Sequence, residues 1–156
     1  MVLFAGVVLT ASTGCGIDYD LRRVDDVLVT ALNKKYPEAA GVEWEKSGSY
    51  YVAEFHYNGS ELKVWFKKGG EWCMTERELG RNLSDVPAVI IDVMKAGKYA
   101  AWEIDDIDKY ERPGETFYVI SVETPGSMDR VLFFSDSGTL LKDEVERGDI
   151  TPKTKI

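Results

Sequence analysis

Apolar and polar positions alternate with a period of two along most of the chain, and the period changes to that of a helix in two places. Each helical segment is followed by four short alternating runs, and most of the turns between these runs contain glycine. Short connections of this kind join antiparallel neighbours. The pattern therefore predicts a helix followed by a four-stranded meander, and then the same unit again.

Both predicted helices carry five apolar residues on one face. In the first helix they are Val24, Val27, Leu28, Ala31 and Leu32. In the second they are Val86, Val89, Ile90, Val93 and Met94. We expect Asp18 or Asp20 to cap the first helix and Ser84 or Asp85 to cap the second. A helix with a single apolar face must pack against an apolar surface, which the predicted strands can supply.

The clearest turn signal is Asn58-Gly59, because both residues accept the positive φ of a type I′ hairpin turn. Around it, the first half is predicted to form strands at residues 42–46, 50–57, 61–67 and 71–76. The second half is predicted to form strands at residues 101–110, 116–124, 130–135 and 139–146.

The two halves also match residue by residue at an offset of 67. The matched residues are Asn58-Gly59-Ser60 with Pro125-Gly126-Ser127, Val64 with Val131, and Phe66 with Phe133. Gly70 matches Gly138 after one inserted residue. Internal repetition of this kind indicates one structural unit used twice.

We therefore predict an α+β fold in which tandem helix-plus-four-strand repeats form one antiparallel sheet with both helices on one face. The repeats span residues 21–77 and 84–147, and together they make a single domain. The tail, residues 148–156, lacks periodicity and is predicted to be loose.

Strand alternation assigns one set of side chains to the core beneath the helices. In the first half this set is Tyr51, Ala53, Phe55, Leu62, Val64 and Phe66. In the second half it is Tyr118, Ile120, Val122, Val131 and Phe133.

The opposite face of the predicted sheet is more apolar than a solvated face normally is. Its apolar members are Tyr50, Val52, Trp65, Phe117, Val119, Leu132 and Phe134. Exposed apolar patches mark interaction sites, and Tyr and Trp are common interface anchors. We hypothesise that these residues bind an envelope protein or peptide. Two alternatives carry equal weight: the N-terminal segment, the linker or the tail covers this face, or two copies form a homodimer through it.

The composition is that of a soluble globular protein, since 44% of the 156 residues are hydrophobic and 29% are charged. The formal net charge of −8 argues against nucleic acid as a partner, because phosphate-binding proteins present basic patches.

The N-terminal segment differs from the rest of the chain. Residues 2–11 are almost wholly apolar, and small residues precede Cys15. This pattern is typical of a secretory signal with a lipoprotein cleavage site, so residues 1–20 are predicted to be a signal segment and tether with Cys15 lipidated. A buried N-terminal strand is the alternative. We expect a periplasmic or cell-surface location, with membrane contact only through the lipid.

Only one other cysteine is present. If Cys15 is lipidated, Cys73 is a lone thiol in a strand, where cysteine usually acts as a small buried hydrophobe. If Cys15 is not lipidated, an exported protein could join the two cysteines in a disulfide.

Candidate catalytic chemistry is sparse. His56 is the only histidine, and no Ser or Cys stands beside it in a recognisable nucleophile setting. The acidic run Glu103, Asp105, Asp106 and Asp108 lacks the glycine and terminal glutamate of a calcium loop. We interpret it as solvated carboxylates at a sheet edge, where charge discourages aggregation. We predict no enzymatic activity, no metal site and no cofactor.

Residues 33–44, NKKYPEAAGVEW, end a helix in a Tyr-Pro motif and enter a strand that contains Trp44. The strand segments YYVAEF (residues 50–55) and VWFKKGG (residues 64–70) follow, and Trp72 closes the unit. Over residues 21–147 this sequence resembles the PepSY-like family of small bacterial envelope proteins. The resemblance implies a β-lactamase-inhibitor-like arrangement, export, partner binding through the helix-free sheet face, and no catalytic residues.

Overall fold

The computed structural model describes residues 24–145 and 147–156. Within them, two α-helices and eight β-strands follow one another as helix, four strands, helix, four strands. The elements are α1 (Asp26–Lys35), β1 (Glu43–Ser47), β2 (Tyr50–Tyr57), β3 (Ser60–Phe66), β4 (Trp72–Gly80), α2 (Ala88–Ala96), β5 (Glu103–Arg112), β6 (Glu115–Glu123), β7 (Arg130–Ser135) and β8 (Leu140–Glu144).

Each strand pairs antiparallel with the next one in sequence, and the eight strands form one sheet in the order β1 to β8. The predicted α+β fold with tandem repeats is therefore confirmed. The predicted signal segment, the lipidation site Cys15 and the helix caps Asp18 and Asp20 lie outside the described residues.

Each helix buries a narrow stripe on its own half of the sheet. Leu28 and Leu32 of α1 are buried against side chains of β2 and β3, while Ile90 and Met94 of α2 are buried against side chains of β6 and β7. The i, i+4 spacing within each pair places both side chains on one side of the helix. The predicted stripe was too wide, since three of its valines are 47%, 43% and 41% exposed. They are Val27, Val89 and Val93.

A tyrosine near the end of each helix ties it to the sheet. Tyr36, from the Tyr-Pro motif, is buried, and its hydroxyl is 3.1 Å from the hydroxyl of Thr75 in β4. In the second repeat Tyr99 donates a hydrogen bond of 2.7 Å to Asp143 in β8. Each helix is thus held to the sheet by polar contact as well as by its apolar stripe.

Asp143 is the centre of a small polar cluster in the second repeat. Burial is the largest influence on its carboxylate and raises the pKa. Hydrogen bonds from Lys98, Tyr99 and Arg130 together outweigh it and lower the pKa of Asp143 to about 2. The carboxylate is consequently ionised at neutral pH and serves as an acceptor for all three donors.

The start of α2 differs from the prediction. Leu83–Asp85 form a 3-10 helix, in which the side chain of Asn82 accepts a hydrogen bond of 3.0 Å from the backbone N–H of Ser84. α2 begins only after Pro87, whose missing N–H suits the start of a helix. The two predicted caps therefore do not cap α2, because Asn82 closes the preceding turn instead.

The predicted faces of β7 are reversed in the structure. Leu132 and Phe134 lie in the core beneath α2, although they were predicted to face outward. Val131 and Phe133 lie on the opposite face, although they were predicted to be core residues beneath the helix. All four side chains are buried, so β7 shows no alternation of apolar and polar residues from which its faces could be assigned.

The reversal comes from the length of one connection. In the first half Phe55 pairs with Leu62 across the β2–β3 hairpin, whereas in the second half Val122 pairs with Arg130 across the β6–β7 connection. The second connection is one residue longer. A shift of one residue moves every side chain of a strand to the other face. The match between the two repeats in sequence placed one inserted residue between Phe133 and Gly138. In the structure the additional residue lies before β7.

A glycine turn presses against the first half of each helix. Gly70 (φ +83°) and Gly138 (φ +87°) both adopt a backbone conformation that L side chains rarely tolerate. A Cβ atom on Gly70 would lie 3.1 Å from the carbonyl oxygen of Val27, and one on Gly138 would lie 2.8 Å from Cγ2 of Val89. The two repeats therefore use the same close approach of turn and helix.

We expect Gly138→Ala to destabilise the fold more than Gly126→Ala, which is the matched control. Gly126 has a similar φ of +81°, but a Cβ atom there would meet nothing within 4 Å. The control should cost about 1 kcal/mol from backbone strain alone. Gly138→Ala should cost roughly 1–3 kcal/mol more from overpacking against Val89. Urea denaturation measures both values, and equal losses would contradict the packing role of Gly138.

Candidate functional site

The sheet face without helices carries a buried group of apolar side chains, which we call the apolar centre. It consists of Val52, Trp65, Met74, Tyr110, Phe117, Val119, Val131 and Phe133. The rings of Tyr110 and Phe117 stack with their centroids 4.9 Å apart. In a fold with one layer of helices this face would ordinarily be solvated. The apolar centre therefore needs another cover.

That cover is the C-terminal segment, residues 147–156, which we call the strap. Ile150 and Ile156 of the strap pack against the apolar centre. Arg112 of β5 donates two hydrogen bonds of 2.8 Å, one to the carbonyl oxygen of Thr151 and one to that of Thr154. The prediction of a loose tail is therefore wrong. It rested on the lack of periodicity, but Ile150, Ile156 and the carbonyl groups of Thr151 and Thr154 make contacts with the sheet that require no periodicity.

The structure divides the predicted partner-binding residues between the two faces. Five of them lie on the helix-free face as expected, namely Tyr50, Val52, Trp65, Phe117 and Val119. Four of these five are buried; Tyr50 is only partly buried, and the Nζ atom of Lys153 in the strap lies 5.9 Å from the centroid of its ring. Leu132 and Phe134 do not belong to this surface, since they lie beneath α2. Of the alternatives stated above, the structure favours a face covered by the tail.

An acidic cleft adjoins the apolar centre on the same face. It is lined by Glu61, Lys63, Glu76, Glu78, Asp106, Asp108 and Arg147. The carboxylates of β5 were interpreted as residues of a sheet edge, but β5 lies in the middle of the sheet between β4 and β6. Asp108 is only 3% exposed. The predicted edge placement is therefore wrong. Glu103 and Asp105 are exposed as expected, whereas Asp108 lies in the middle of the sheet beneath a cation.

Arg147 of the strap supplies that cation. Its guanidinium contacts the carboxylate of Asp108 and the hydroxyl of Tyr110, and it donates a hydrogen bond of 3.1 Å to Glu76. A third carboxylate, that of Asp106, has an oxygen 3.7 Å from the guanidinium. Sequence reasoning did not find this residue, because a single arginine in a segment without periodicity gives no local signal.

Burial raises the pKa of Asp108 to about 7, and the nearby carboxylates of Asp106 and Glu76 act in the same direction. The guanidinium of Arg147 lowers the pKa of Asp108 but does not offset the burial. The same desolvation raises the pKa of Tyr110. An arginine keeps its charge at any physiological pH. In the ion pair of Asp108 with Arg147, therefore, only Asp108 changes its charge near neutral pH.

Asp108→Asn should alter how stability depends on pH. The folded pKa of about 7 exceeds the ordinary value of 3.8, so between these pH values the folded chain keeps a proton that the unfolded chain releases. This contribution to stability is complete below about pH 4 and is lost as the pH rises to about 7. The variant has no such group, so its stability relative to wild type should rise over that interval, by roughly 4 kcal/mol at most.

Urea denaturation between pH 4 and pH 8 measures this difference. Asp92→Asn is the matched control, because Asp92 is an exposed carboxylate on α2. Its profile should run parallel to that of the wild type. A parallel profile for Asp108→Asn as well would contradict the role assigned to burial.

The remaining candidate groups show little chemistry. Among the described residues, no cluster of three or more His, Cys, Asp or Glu is arranged to hold a metal ion. Cys73 is a free thiol whose pKa is raised by burial. His56 is exposed on β2, opposite Glu61 of β3. No helix in the described part of the chain is both long and apolar enough to cross a membrane.

Comparison with known proteins gives one family and several similar structures. The model of a family described as beta-lactamase-inhibitor-like, PepSY-like matches residues 49–142. A BLIP-like protein from Bacteroides fragilis is 34% identical, with a TM-score of 0.72 over 83% of this chain and 92% of that one. A DUF2874 family protein from Bacteroides ovatus is 31% identical, with a TM-score of 0.71 over 78% of this chain and 87% of that one.

A protein from Bacteroides eggerthii, provisionally described as periplasmic, is 29% identical, with a TM-score of 0.71 over 78% of this chain and 88% of that one. Among curated proteins, none matches this sequence. The family and these structural relatives indicate an inhibitor-like fold, and none of them indicates an enzyme.

Proposed function

Because the chain belongs to the beta-lactamase-inhibitor-like, PepSY-like family, we propose that it is an exported, non-enzymatic module that binds another protein through its helix-free sheet face. One observation carries this proposal. The apolar centre, with Trp65, Tyr110 and Phe117, is covered by a strap of irregular chain and not by a second layer of helices or strands.

The composition of this face supports the proposal. Protein interfaces combine an aromatic and aliphatic centre with a charged rim. Here the apolar centre adjoins charged residues of β2, β3 and β4, which include Glu54, Lys63 and Glu78. The other face is occupied by α1 and α2, whose apolar side chains pack against it. A partner that uses the sheet would therefore meet the helix-free face.

Site-specific photo-crosslinking in native cells tests which face is used. A photoreactive phenylalanine analogue would replace Tyr50 or Glu78 on the helix-free face, and Asp92 on α2 would be the exposed control. We expect crosslinks to another protein from the first two positions and none from Asp92. Crosslinks between copies of this chain would instead support the homodimer alternative, and equal crosslinking from both faces would contradict the proposal.

Export with a lipid anchor at Cys15 is the second part of the proposal. It is supported by the apolar run before Cys15 and by the relative from Bacteroides eggerthii that is provisionally described as periplasmic. An apolar run of this length followed by small residues and a cysteine is typical of lipoprotein signals.

Metabolic labelling with an alkyne fatty acid tests the anchor. Cys15→Ala should abolish the label, because lipidation requires that thiol. Cys73→Ala is the matched control and should keep the label, since Cys73 lies in β4 of the folded domain. Labelling that persists in Cys15→Ala would contradict this assignment.

A further inference from the structure

The strap is bound to the sheet much as a separate peptide would be. None of its residues belongs to a strand of the sheet. Contact instead runs through side chains: Arg112 donates to two strap carbonyls, and Lys142 of β8 donates a hydrogen bond of 2.5 Å to the carbonyl oxygen of Lys155. The strap is therefore held by side chains that donate to its main chain and not by strand pairing.

The two ends of the strap contribute different chemistry. At one end Arg147 enters the acidic cleft, where it contacts Asp108 and Glu76. Further along, Ile150 and Ile156 pack against the apolar centre. A guanidinium beside carboxylates is a charge-assisted contact, and aliphatic side chains packed on an apolar cluster are an apolar one. The face thus accepts an arginine and aliphatic side chains in a defined order.

We propose that the strap is an intramolecular ligand of the helix-free face, and that the partner protein presents an arginine followed by aliphatic residues in the same arrangement. This inference rests on the proposed function, since it assumes that the face binds a partner. The strap and the partner then compete for one surface. A tethered segment acts at an effective concentration of about a millimolar, so the partner must displace it to bind.

The probe is a fluorescent synthetic peptide with the strap sequence RGDITPKTKI, titrated into the purified full chain. The peptide should bind the Arg147→Ala chain at least about tenfold more tightly than the wild type, because the variant's own strap competes less well. Arg81→Ala is the matched control, since Arg81 pairs with Glu103 and Asp105 away from the cleft. It should behave like the wild type. A peptide with alanine at its first position should lose binding to the variant.

Ile150→Ser, which weakens the apolar end of the strap, provides a second chain for the same titration and should also bind the peptide more tightly. Equal affinity for the wild type and for folded strap variants would overturn the inference.

Hydrogen exchange on the wild type gives a readout that needs no variant. Strap amides should exchange well before those of β3 and β6, and exchange only on global unfolding would make the strap a fixed part of the core. In that case the inference fails, while crosslinking from Tyr50 and Glu78 still tests the proposed function separately.

Discussion

A single sheet with apolar side chains on both faces needs a covering layer on each face, and the rest of this structure follows from that constraint. Full burial of a large apolar side chain contributes about 1.5–3 kcal/mol. Leaving Trp65, Phe117 and their neighbours in water would therefore forfeit a large share of the stability of a small domain. The two amphipathic helices cover one face. The other is covered by the last ten residues of the chain, which form a turn at residues 151–154 but no helix or strand.

The same constraint explains which parts of the fold could be predicted from sequence. Helices and hairpins depend on nearby residues, so Asn58-Gly59 and the apolar stripe of α2 predicted the right elements, although α2 begins later than expected. The face on which a strand points its side chains depends on the length of the preceding connection. In β7 four consecutive residues are buried, two on each face, so the strand itself gave no indication of its orientation. The register followed instead from one additional residue between β6 and β7.

Cover by the tail was one of the alternatives drawn from the sequence, but the contacts of the strap could not be predicted, for a different reason. Its contacts join residues that are far apart in sequence, such as Arg147 with Glu76 and Arg112 with Thr151. No periodicity accompanies such contacts, because the segment is neither a helix nor a strand. The acidic run of β5 was identified in the sequence, but the burial of Asp108 was not predicted. Only the order of strands in the sheet makes Asp108 a central, buried carboxylate that needs a cation.

The two covers differ in how they are held, and this difference connects the fold with the proposed function. The helices are held by apolar stripes in direct contact with the sheet, together with Tyr36 and Tyr99. The strap is anchored at one end by the pairing of Arg147 with Asp108, and removing two charges from water costs several kcal/mol before their attraction offsets it. An apolar anchor would hold the strap more firmly. A polar anchor instead makes the cover selective for one arrangement of charge, and a partner with the same arrangement would meet the same groups once the strap had moved aside.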